Sequence, residues 1–444
     1  MDILQTIVHI IFSGLVLFFL LFLYSSIIER RNRAVYASII SVIVIVVAWA
    51  SVFIFLKDNQ LVLSLIIGLF LLSVLFFFAP IGKSKSLKIS NSSEQVDERD
   101  TMFAREEYIA GTEKYNLFYR RHPEYKVIDD KLKKLPNILE PGGKFYDPIA
   151  SVKVKKIFTK IKSLTTKVDG TVNTTKESKS SEEFTAYFKK LILEMGASEI
   201  GVARIDQRYI YSHVGRGPEK WGSPIINNHK YALVFTIEMA YENVEQAPDV
   251  PITLESADKY LESANISIEV ATIIRSLGYS ARAHISDSNY QAILPPLAYL
   301  AGLGELGRMG YLISSKYGPR IRIGAITTDL PLIPDKPISF GVQDFCEKCK
   351  KCSNNCPSKA IPDGDKTIIR GVEKWQLNIE QCLYYWRLVG TDCGLCMKVC
   401  PYSHPSTFVH NVVRAGARRS SFARSVSIWA DNLFYGKYDR YGQS

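Results

Sequence analysis

The chain has 444 residues and a formal net charge of +11, so it has room for two or three domains and for at least one large buried core. A positive charge of this size would permit a nucleic-acid or anionic-membrane partner. The basic residues are spread along the chain, however, and no basic run alternates with aromatic residues. We therefore expect no nucleic-acid partner.

Three apolar runs without a charged side chain open the chain, at residues 3–28, 34–56 and 61–81. Each is long enough to cross about 30 Å of hydrocarbon as a helix. A signal peptide has a shorter apolar core and is not followed by two further runs, and three runs in tandem do not suit the buried helices of a soluble protein. Residues 1–82 are therefore predicted to be a three-helix membrane anchor, with the lipid bilayer as a partner.

The charges beside these runs predict the orientation of the chain in the membrane. The second loop has only Lys57, next to Asp58. The basic residues of the first loop and of the flank after the third run are Arg30, Arg31, Arg33, Lys83, Lys85 and Lys88. Because positive charges favour the cytoplasmic side, we expect a multi-pass inner-membrane protein with its N-terminus outside and everything after residue 82 in the cytoplasm. The arginine pair follows the first run, so we expect no twin-arginine export signal.

Residues 83–180 are predicted to be a polar linker and an N-terminal arm. Residues 83–100 are rich in Lys and Ser, which is typical of a tether, and residues 165–181 have the composition of an exposed loop. Between them lies an aromatic and basic segment that opens with DERDTMFAR at 97–105. Its composition predicts an irregular arm packed on the main domain.

Residues 181–340 have the pattern of an α/β body. Ser180 and Glu183 form a capping-box sequence, and the amphipathic helix that follows ends before Gly196. Helical periodicity recurs at 257–277, and a further helix is predicted at 297–306. Strands are predicted at 198–204, 231–239, 280–285 and 321–327. We expect an α/β sandwich of mixed strand order, within a chain of the α+β class.

The glycine-rich stretch at 301–310, AGLGELGRMG, is similar to a dinucleotide-binding fingerprint only in part. Gly302 and Gly304 give the first two glycines, but the next one has the wrong spacing and no strand directly precedes them. Glycines at this density indicate that the backbone passes close to another element or to a flat cofactor. The nearby basic residues predict either a solvated rim or an anion-binding pocket, and they are Arg308, Arg320 and Arg322.

All eight cysteines lie between residues 346 and 400. Spacings of two residues between three cysteines, with a fourth just before proline, are typical of paired 4Fe–4S clusters in which the fourth ligand serves the neighbouring cluster. We assign the first cluster to Cys346, Cys349, Cys352 and Cys400. We assign the second cluster to Cys356, Cys382, Cys393 and Cys396. Zinc usually takes paired CxxC motifs, and disulfides are rare in the cytoplasm, so residues 341–405 are predicted to be a two-cluster ferredoxin-like module.

Several further motifs together resemble the corrinoid-dependent reductive dehalogenases, over roughly residues 94–438. Besides the cysteines and the stretches at 97–105 and 301–310, they are IRSLGY at 274–279, GPR at 318–320, TDLPL at 328–332, DKPI at 335–338 and DNLFYG at 431–436. The resemblance implies a nitroreductase-like α/β domain that binds a base-off cobalamin without a histidine ligand. In agreement, no histidine lies in a DxHxxG motif. The last stretch, 406–444, is expected to pack on the catalytic domain.

The resemblance also implies roles for individual residues. Tyr260 would supply a proton, Arg322 would polarise this tyrosine, and Asn289 would contact the halide. The cofactor would be bound by Gly302, Gly304, Glu305, Gly307, Arg308, Met309, Gly310 and Arg320. The expected reaction converts a small organohalide R–X, two electrons and a proton into R–H and halide, as in organohalide respiration. The electron donor could be a quinol, a ferredoxin or a flavoprotein.

Two alternatives stay open at this point. An epoxyqueuosine reductase also joins a corrinoid domain to two clusters, but it uses an acidic proton donor, which Tyr260 is not. A membrane-tethered ferredoxin-type electron carrier would contain the clusters without cobalt. The chain also departs from the family pattern, because most members carry a twin-arginine signal and use a separate three-span anchor protein.

Overall fold

A computed structural model of the chain describes residues 2–82, 86–286, 290–439 and 441. The chain divides into two compact units. The first, which we call the helical unit, consists of Met1–Ser86, Ser339–Lys351 and His404–Gln443. The second, which we call the sheet unit, contains Leu87–Ile338 and Cys352–Ser403. The five-part division expected from the sequence stays a prediction.

The helical unit opens with three helices that are long and apolar enough to cross a membrane. They are α1 (Ile3–Ile28), α2 (Asn32–Phe55) and α3 (Gln60–Phe78). Asp2 begins α1 with a capping box that includes Gln5. At about 1.5 Å per residue, their 19 to 26 residues match the hydrocarbon thickness. The three helices predicted from the apolar runs are therefore confirmed, each to within a few residues.

The arm before the sheet is helical where composition predicted irregular structure. Its helices are α4 (Met102–Glu106), α5 (Glu113–Arg121), α6 (Pro123–Leu132) and α7 (Pro148–Ser163). The local sequence explains them, because Thr101, Thr112 and Asp147 each cap a helix and proline opens two of them. Aromatic side chains from α4 to α6 form a small core around Tyr108 and Phe118.

The body of the sheet unit is a four-stranded antiparallel sheet with the order β1-β2-β6-β3. Its elements are α8 (Ser181–Glu194), β1 (Glu199–Arg204), β2 (Tyr231–Glu238), α9 (Tyr241–Val244), α10 (Val250–Ser276), β3 (Ala281–His284), α11 (Leu294–Leu300), β4 (Glu305–Leu306), β5 (Leu312–Ile313) and β6 (Ile321–Thr328). The capping box at Ser180 is present. The four main strands and α8 lie where the sequence predicted them, whereas α10 begins at Val250, before the predicted start at residue 257.

Helices cover both faces of this sheet. Along β2, Leu233 and Phe235 point into a core shared with α7, α8 and α10. The alternate residues, Ala232 and Val234, point to the opposite face, into a second core shared with α11. This alternation follows from the two-residue period of a strand, and it makes β2 and β6 the buried centre of the unit.

The helix predicted at 297–306 is wrong in its bounds. Two prolines open α11 early, and the helix ends at Leu300. Gly302 then takes a φ of +74°, which a helix cannot continue, and β4 pairs with β5.

The cysteine region and the tail complete the chain with short elements. They are α12 (Val342–Cys349), α13 (Lys351–Asn354), β7 (Thr367–Ile369), β8 (Val372–Lys374), α14 (Ile379–Val389), α15 (Leu395–Lys398), α16 (Phe408–Arg419) and α17 (Ser421–Tyr435). The sequence prediction put the tail on the catalytic domain. Within the helical unit, α16 and α17 pack on the apolar helices, through Phe22 against Phe434 and through the Ser420 hydroxyl, which donates to the Phe76 carbonyl at 2.7 Å.

Candidate active site

Arg322 lies at the centre of a buried polar site in the sheet unit. It is on β6, opposite Ile237 of β2, and its side chain is 13% exposed. Its Nη2 donates to the Ser256 hydroxyl and lies 3.8 Å from Oδ2 of Asp392. Its guanidinium carbon lies 5.1 Å from the centre of the Tyr260 ring. The structure thus brings Tyr260 and Arg322 together, as the resemblance implied, while their catalytic roles stay predictions.

Helical periodicity explains part of this arrangement. Ser256 and Tyr260 are four residues apart on α10, so their side chains share one face of the helix. That face is turned toward β6, against which α10 packs in the sheet unit. Asp392 comes from the loop between α14 and α15, where its backbone N–H donates to the Thr253 hydroxyl at 3.0 Å.

The charges of the site balance one another inside the protein. Burial alone would lower the pKa of Arg322, but Tyr260 and Asp392 outweigh it, so the pKa is raised. Burial raises the pKa of Asp392, and the adjacent Arg322 limits that rise. The Arg322 Nε is buried and has no hydrogen-bond partner among the described residues. Because buried N–H groups are rarely left unpaired, this donor is suited to a ligand.

Two further tyrosines, Tyr290 and Tyr311, belong to the site, and no motif in the sequence marks them. Burial raises the pKa of Tyr290 and of Tyr311 well above the ordinary tyrosine range. Both interact electrostatically with Arg322 and Tyr260. Their hydroxyl groups therefore remain neutral hydrogen-bond donors at physiological pH. Asp392 was also missed, because a single aspartate beside the cysteines carries no motif of its own.

The segment at 97–105 supports a loop of the sheet unit. Glu98 is buried and accepts hydrogen bonds from the backbone N–H groups of Gly215 at 2.8 Å and Arg216 at 3.3 Å. Its other oxygen pairs with the Arg216 side chain at 3.2 Å. Arg105, also buried, pairs with Glu380 at 2.9 Å. These contacts explain why charged residues occur in this segment. They indicate that the segment stabilises the fold of the sheet unit.

Four cysteines of the sheet unit meet around one cavity next to the polar site. Besides Tyr311 and Met309, this cavity is lined by Cys356, Cys382, Cys393 and Cys396. Burial, with a smaller effect of neighbouring thiols, raises the pKa of Cys382 and Cys393 to about 12. Thiols brought together in a buried place are suited to a cationic iron–sulfur core, which stabilises their thiolate forms. The residues thus fit the second predicted cluster.

The four cysteines assigned to the first cluster are divided between the two units. Cys346 and Cys349 belong to the helical unit, and Cys352 and Cys400 belong to the sheet unit. Burial raises the pKa of Cys349 to about 12. The assignment of these four ligands to one cluster stays a prediction.

The glycine stretch is explained by contacts within the protein. A Cβ at Gly302 would overlap the Lys336 carbonyl oxygen, and one at Gly304 would overlap the Ile313 carbonyl oxygen. A Cβ at Gly307 would come within 2.9 Å of the Ile313 side chain. Of the two open explanations, close approach of another element accounts for these glycines. Their predicted contact with a cofactor stays a prediction, as it does for Glu305, Met309 and Gly310.

The two other arginines of this region, Arg308 and Arg320, do not form a solvated rim, because both are buried. Each also uses some of its N–H donors in hydrogen bonds within the protein. Arg308 donates to the carbonyl groups of Pro362 at 2.8 Å and Gly364 at 2.9 Å. Arg320 donates to the carbonyl groups of Ser403 at 2.6 Å and Met239 at 2.5 Å. Both arginines therefore connect segments of the sheet unit through hydrogen bonds to backbone carbonyl groups. Asn289 lies outside the described residues.

Comparisons with known proteins show similarity in the cysteine region and over about half of the chain. The 4Fe-4S dicluster domain family matches residues 345–404. A tetrachloroethene reductive dehalogenase of Desulfitobacterium hafniense is 32% identical in an alignment of 286 positions, and the match covers 54% of this chain and 51% of the relative. Another, of Sulfurospirillum multivorans, is 32% identical in an alignment of 289 positions that covers 57% of each chain. The chain thus spans about half the length of the curated relatives it matches.

A solved structure gives the same result for the fold. It is a reductive dehalogenase whose structure is described as suggesting a mechanism for B12-dependent dehalogenation. The two share 26% sequence identity and a TM-score of 0.65 over 82% of this chain and 49% of the other. In both sequence and fold, the chain is therefore similar to reductive dehalogenases, which are oxidoreductases.

Proposed function

We propose that this protein is a membrane-anchored reductive dehalogenase that replaces a halogen on a small organohalide by hydrogen. The observation that carries the proposal is the partly buried Tyr260–Arg322 pair, next to a cavity lined by four cysteines. A proton donor beside a cation and an electron source is what reductive removal of a halide requires, since R–X, two electrons and one proton give R–H and halide.

A corrinoid, when bound, would supply the cleavage of the carbon–halogen bond. The Tyr260 hydroxyl would hold the proton that the carbon receives. Arg322 would stabilise the phenolate left behind, and its buried Nε would be available to the departing halide. Tyr290 and Tyr311 would offer neutral hydroxyl donors around the same space. Asp392 and Ser256 would hold the guanidinium in place.

The second cluster is suited to deliver the electrons. Tyr311 interacts electrostatically with Cys396 and Cys382 and also with Arg322. Tyr311 and Asp392 both line the cavity of the cysteines, and Asp392 lies 3.8 Å from Arg322, so the cysteine cavity adjoins the polar site. We propose two 4Fe–4S clusters and a base-off corrinoid bound by a nitroreductase-like fold. The electron donor would be a quinol, a ferredoxin or a flavoprotein.

The same proposal includes a place for the protein in the cell. The three apolar helices suggest a membrane anchor, and the flanking positive charges support a cytoplasmic sheet unit. Protease added to intact spheroplasts should then leave the sheet unit uncut, and protease added to inverted vesicles should digest it.

The experiment that tests the function is a measurement of metals and turnover on one sample. The protein is extracted in detergent and purified without oxygen from a host that supplies corrinoid. We expect about one cobalt and about eight irons per chain, and halide release from chlorinated or brominated substrates with a reduced dye. Iron without cobalt would favour the electron carrier instead. Cobalt and iron with turnover of epoxyqueuosine tRNA, and none of organohalides, would favour the epoxyqueuosine reductase.

A further inference from the structure

A cluster of buried polar side chains lies at the end of the first apolar helix, in the helical unit. Glu29 follows directly after α1, and its side chain is fully buried. His404 follows the last cysteine, and His410 lies in the first turn of α16. Their side chains are 11% and 9% exposed. One possible ligand atom from each of the three residues lies within 4.8 Å of the other two.

The two imidazole rings turn the same nitrogen toward the carboxylate. Nδ1 of His404 lies 3.6 Å from Oε2 of Glu29, and Nδ1 of His410 lies 3.5 Å from Oε1. Ligands at about 2.1 Å from a tetrahedral metal ion are about 3.4 Å apart. The observed separations are thus close to those of a metal site, though too long for hydrogen bonds.

Two of the facing atoms have no other partner. Oε1 of Glu29 and Nδ1 of His404 are buried without a hydrogen bond to any described residue. A buried carboxylate oxygen and a buried ring nitrogen are costly when left unpaired. A cation between them would satisfy both atoms at once.

The other nitrogen of each ring, Nε2, has its own hydrogen-bond partner. Nε2 of His404 lies 2.9 Å from Oδ1 of Asp431, and Nε2 of His410 lies 3.1 Å from the Tyr435 hydroxyl. Metal-binding histidines usually donate their second N–H to such a carboxylate or oxygen, which orients the ring and increases its basicity.

One contact competes with an ion. The Thr407 hydroxyl lies 2.7 Å from Nδ1 of His410 and also caps α16 by accepting from the His410 backbone N–H. With a metal bound, Nδ1 of His410 would bind the ion in place of the Thr407 hydroxyl. Thr407 would still cap α16 by accepting from the His410 backbone N–H.

We propose that Glu29, His404 and His410 bind one borderline divalent cation of the Zn²⁺ type. Two imidazoles and one carboxylate, without a thiolate, are the ligands such an ion takes. The ion would be separate from the iron–sulfur clusters and the corrinoid. It would join the end of α1 to the segment that leads into α16, so it would fix the first apolar helix within the helical unit.

The test is a zinc titration of the complete protein in detergent against a coloured chelator. We expect one Zn²⁺ per chain with a Kd below about 1 μM. Glu29→Gln, His404→Gln and His410→Gln should each weaken binding more than about 100-fold. Asp431→Asn, which removes the negative charge beside His404 Nε2, should weaken binding about 10- to 100-fold. His122→Gln is the matched control, because this histidine lies beside carboxylates in the sheet unit, and it should bind as the unaltered protein does.

Visible absorbance of the clusters and elution volume report whether each variant is folded. The proposal is overturned if the unaltered protein binds no zinc in this range. It is also overturned if folded variants at Glu29 and the two histidines bind zinc as tightly as His122→Gln does. The first outcome needs no variant, so the proposal can fail even if a substitution prevents folding.

Discussion

The guanidinium of Arg322, on the central strand β6, lies over the ring of Tyr260, on the longest helix of the sheet unit, at 5.1 Å from carbon to ring centre. Tyr260 is not the only residue that positions Arg322. Ser256 and Asp392 contact the same guanidinium, so an element from the cysteine region also positions it. The proton donor, the cation and the electron path would therefore depend on one another.

Tyr260→Phe should reduce dehalogenation by about 100-fold or more, because the ring stays and only the hydroxyl group that donates the proton is lost. Iron and cobalt content should not change. Turnover with a reduced dye and metal analysis on the same sample measure both effects. Tyr187→Phe, an exposed tyrosine on α8, is the matched control and should keep full activity. A Tyr260→Phe enzyme as fast as this control would exclude Tyr260 as the proton donor.

Arg322→Lys should reduce turnover while leaving a positive charge in the site. An ammonium group cannot reproduce the planar fork that contacts Ser256 and Asp392. We expect about a 10- to 1000-fold lower rate and a modest fall in the thermal midpoint. Arg204→Lys, at the exposed end of β1, should change neither quantity. Equal rates for the two variants would mean that charge alone is sufficient at position 322.

Much of the fold could be predicted from local patterns, for physical reasons. Length and apolarity define a membrane-crossing helix, so the three runs near the N-terminus gave three helices. Cysteine spacing constrains the geometry of a cluster directly, and the four cysteines assigned to the second cluster line one cavity. The capping box at Ser180 began α8 where it should. In each case the signal lies within a few neighbouring residues.

The other features depend on contacts between distant residues. Gly304 is glycine because Ile313 passes beside it, and no local pattern distinguishes this from a cofactor contact. Asp392 reaches Arg322 only through the folded chain. Glu98 is charged and yet buried, because the loop at Gly215 and Arg216 pairs with it. Composition alone predicted an irregular arm packed on the main domain in that region.

Cys382→Ser should remove the second cluster and leave the first. Cys382 reaches its cavity from α14, outside the closely spaced run. We expect iron to fall from about eight to about four atoms per chain and dehalogenation to stop. Metal analysis and electron paramagnetic resonance of the reduced protein measure this. Gln381→Ser, its exposed neighbour on α14, should keep all the iron. Full iron in Cys382→Ser would require another fourth ligand.

Gly304→Ala should destabilise the protein, because the added methyl group would overlap the backbone of Ile313, which cannot move aside as a side chain can. Overpacking of this kind costs about 1–3 kcal/mol of unfolding free energy. Gly364→Ala is the control, since a Cβ there has no atom within 4 Å. Thermal unfolding without corrinoid measures the difference. A normal midpoint for Gly304→Ala, with weaker corrinoid binding, would instead favour direct contact with the cofactor.

The stability of the sheet unit should fall as the pH is lowered from 7.5 to 5.5. Two histidines share the Thr327 hydroxyl: Nδ1 of His229 lies 2.9 Å from it and Nε2 of His284 lies 3.0 Å from it. Burial lowers the pKa of His229 and lowers that of His284 well below the ordinary value.

Both rings thus stay neutral in the folded chain, while the unfolded chain takes up protons below about pH 6.5. Stability is complete above that pH and is lost as the pH falls toward the folded pKa values, by up to about 1.4 kcal/mol per pH unit for each histidine. His229→Gln places a side-chain amide, which does not titrate, near Ser280 and Thr327. This variant should therefore have a smaller slope of thermal midpoint against pH. His122→Gln, on the junction of α5 and α6, should leave the slope unchanged. An equal slope in the unaltered protein and His229→Gln would mean that other groups titrate in this range.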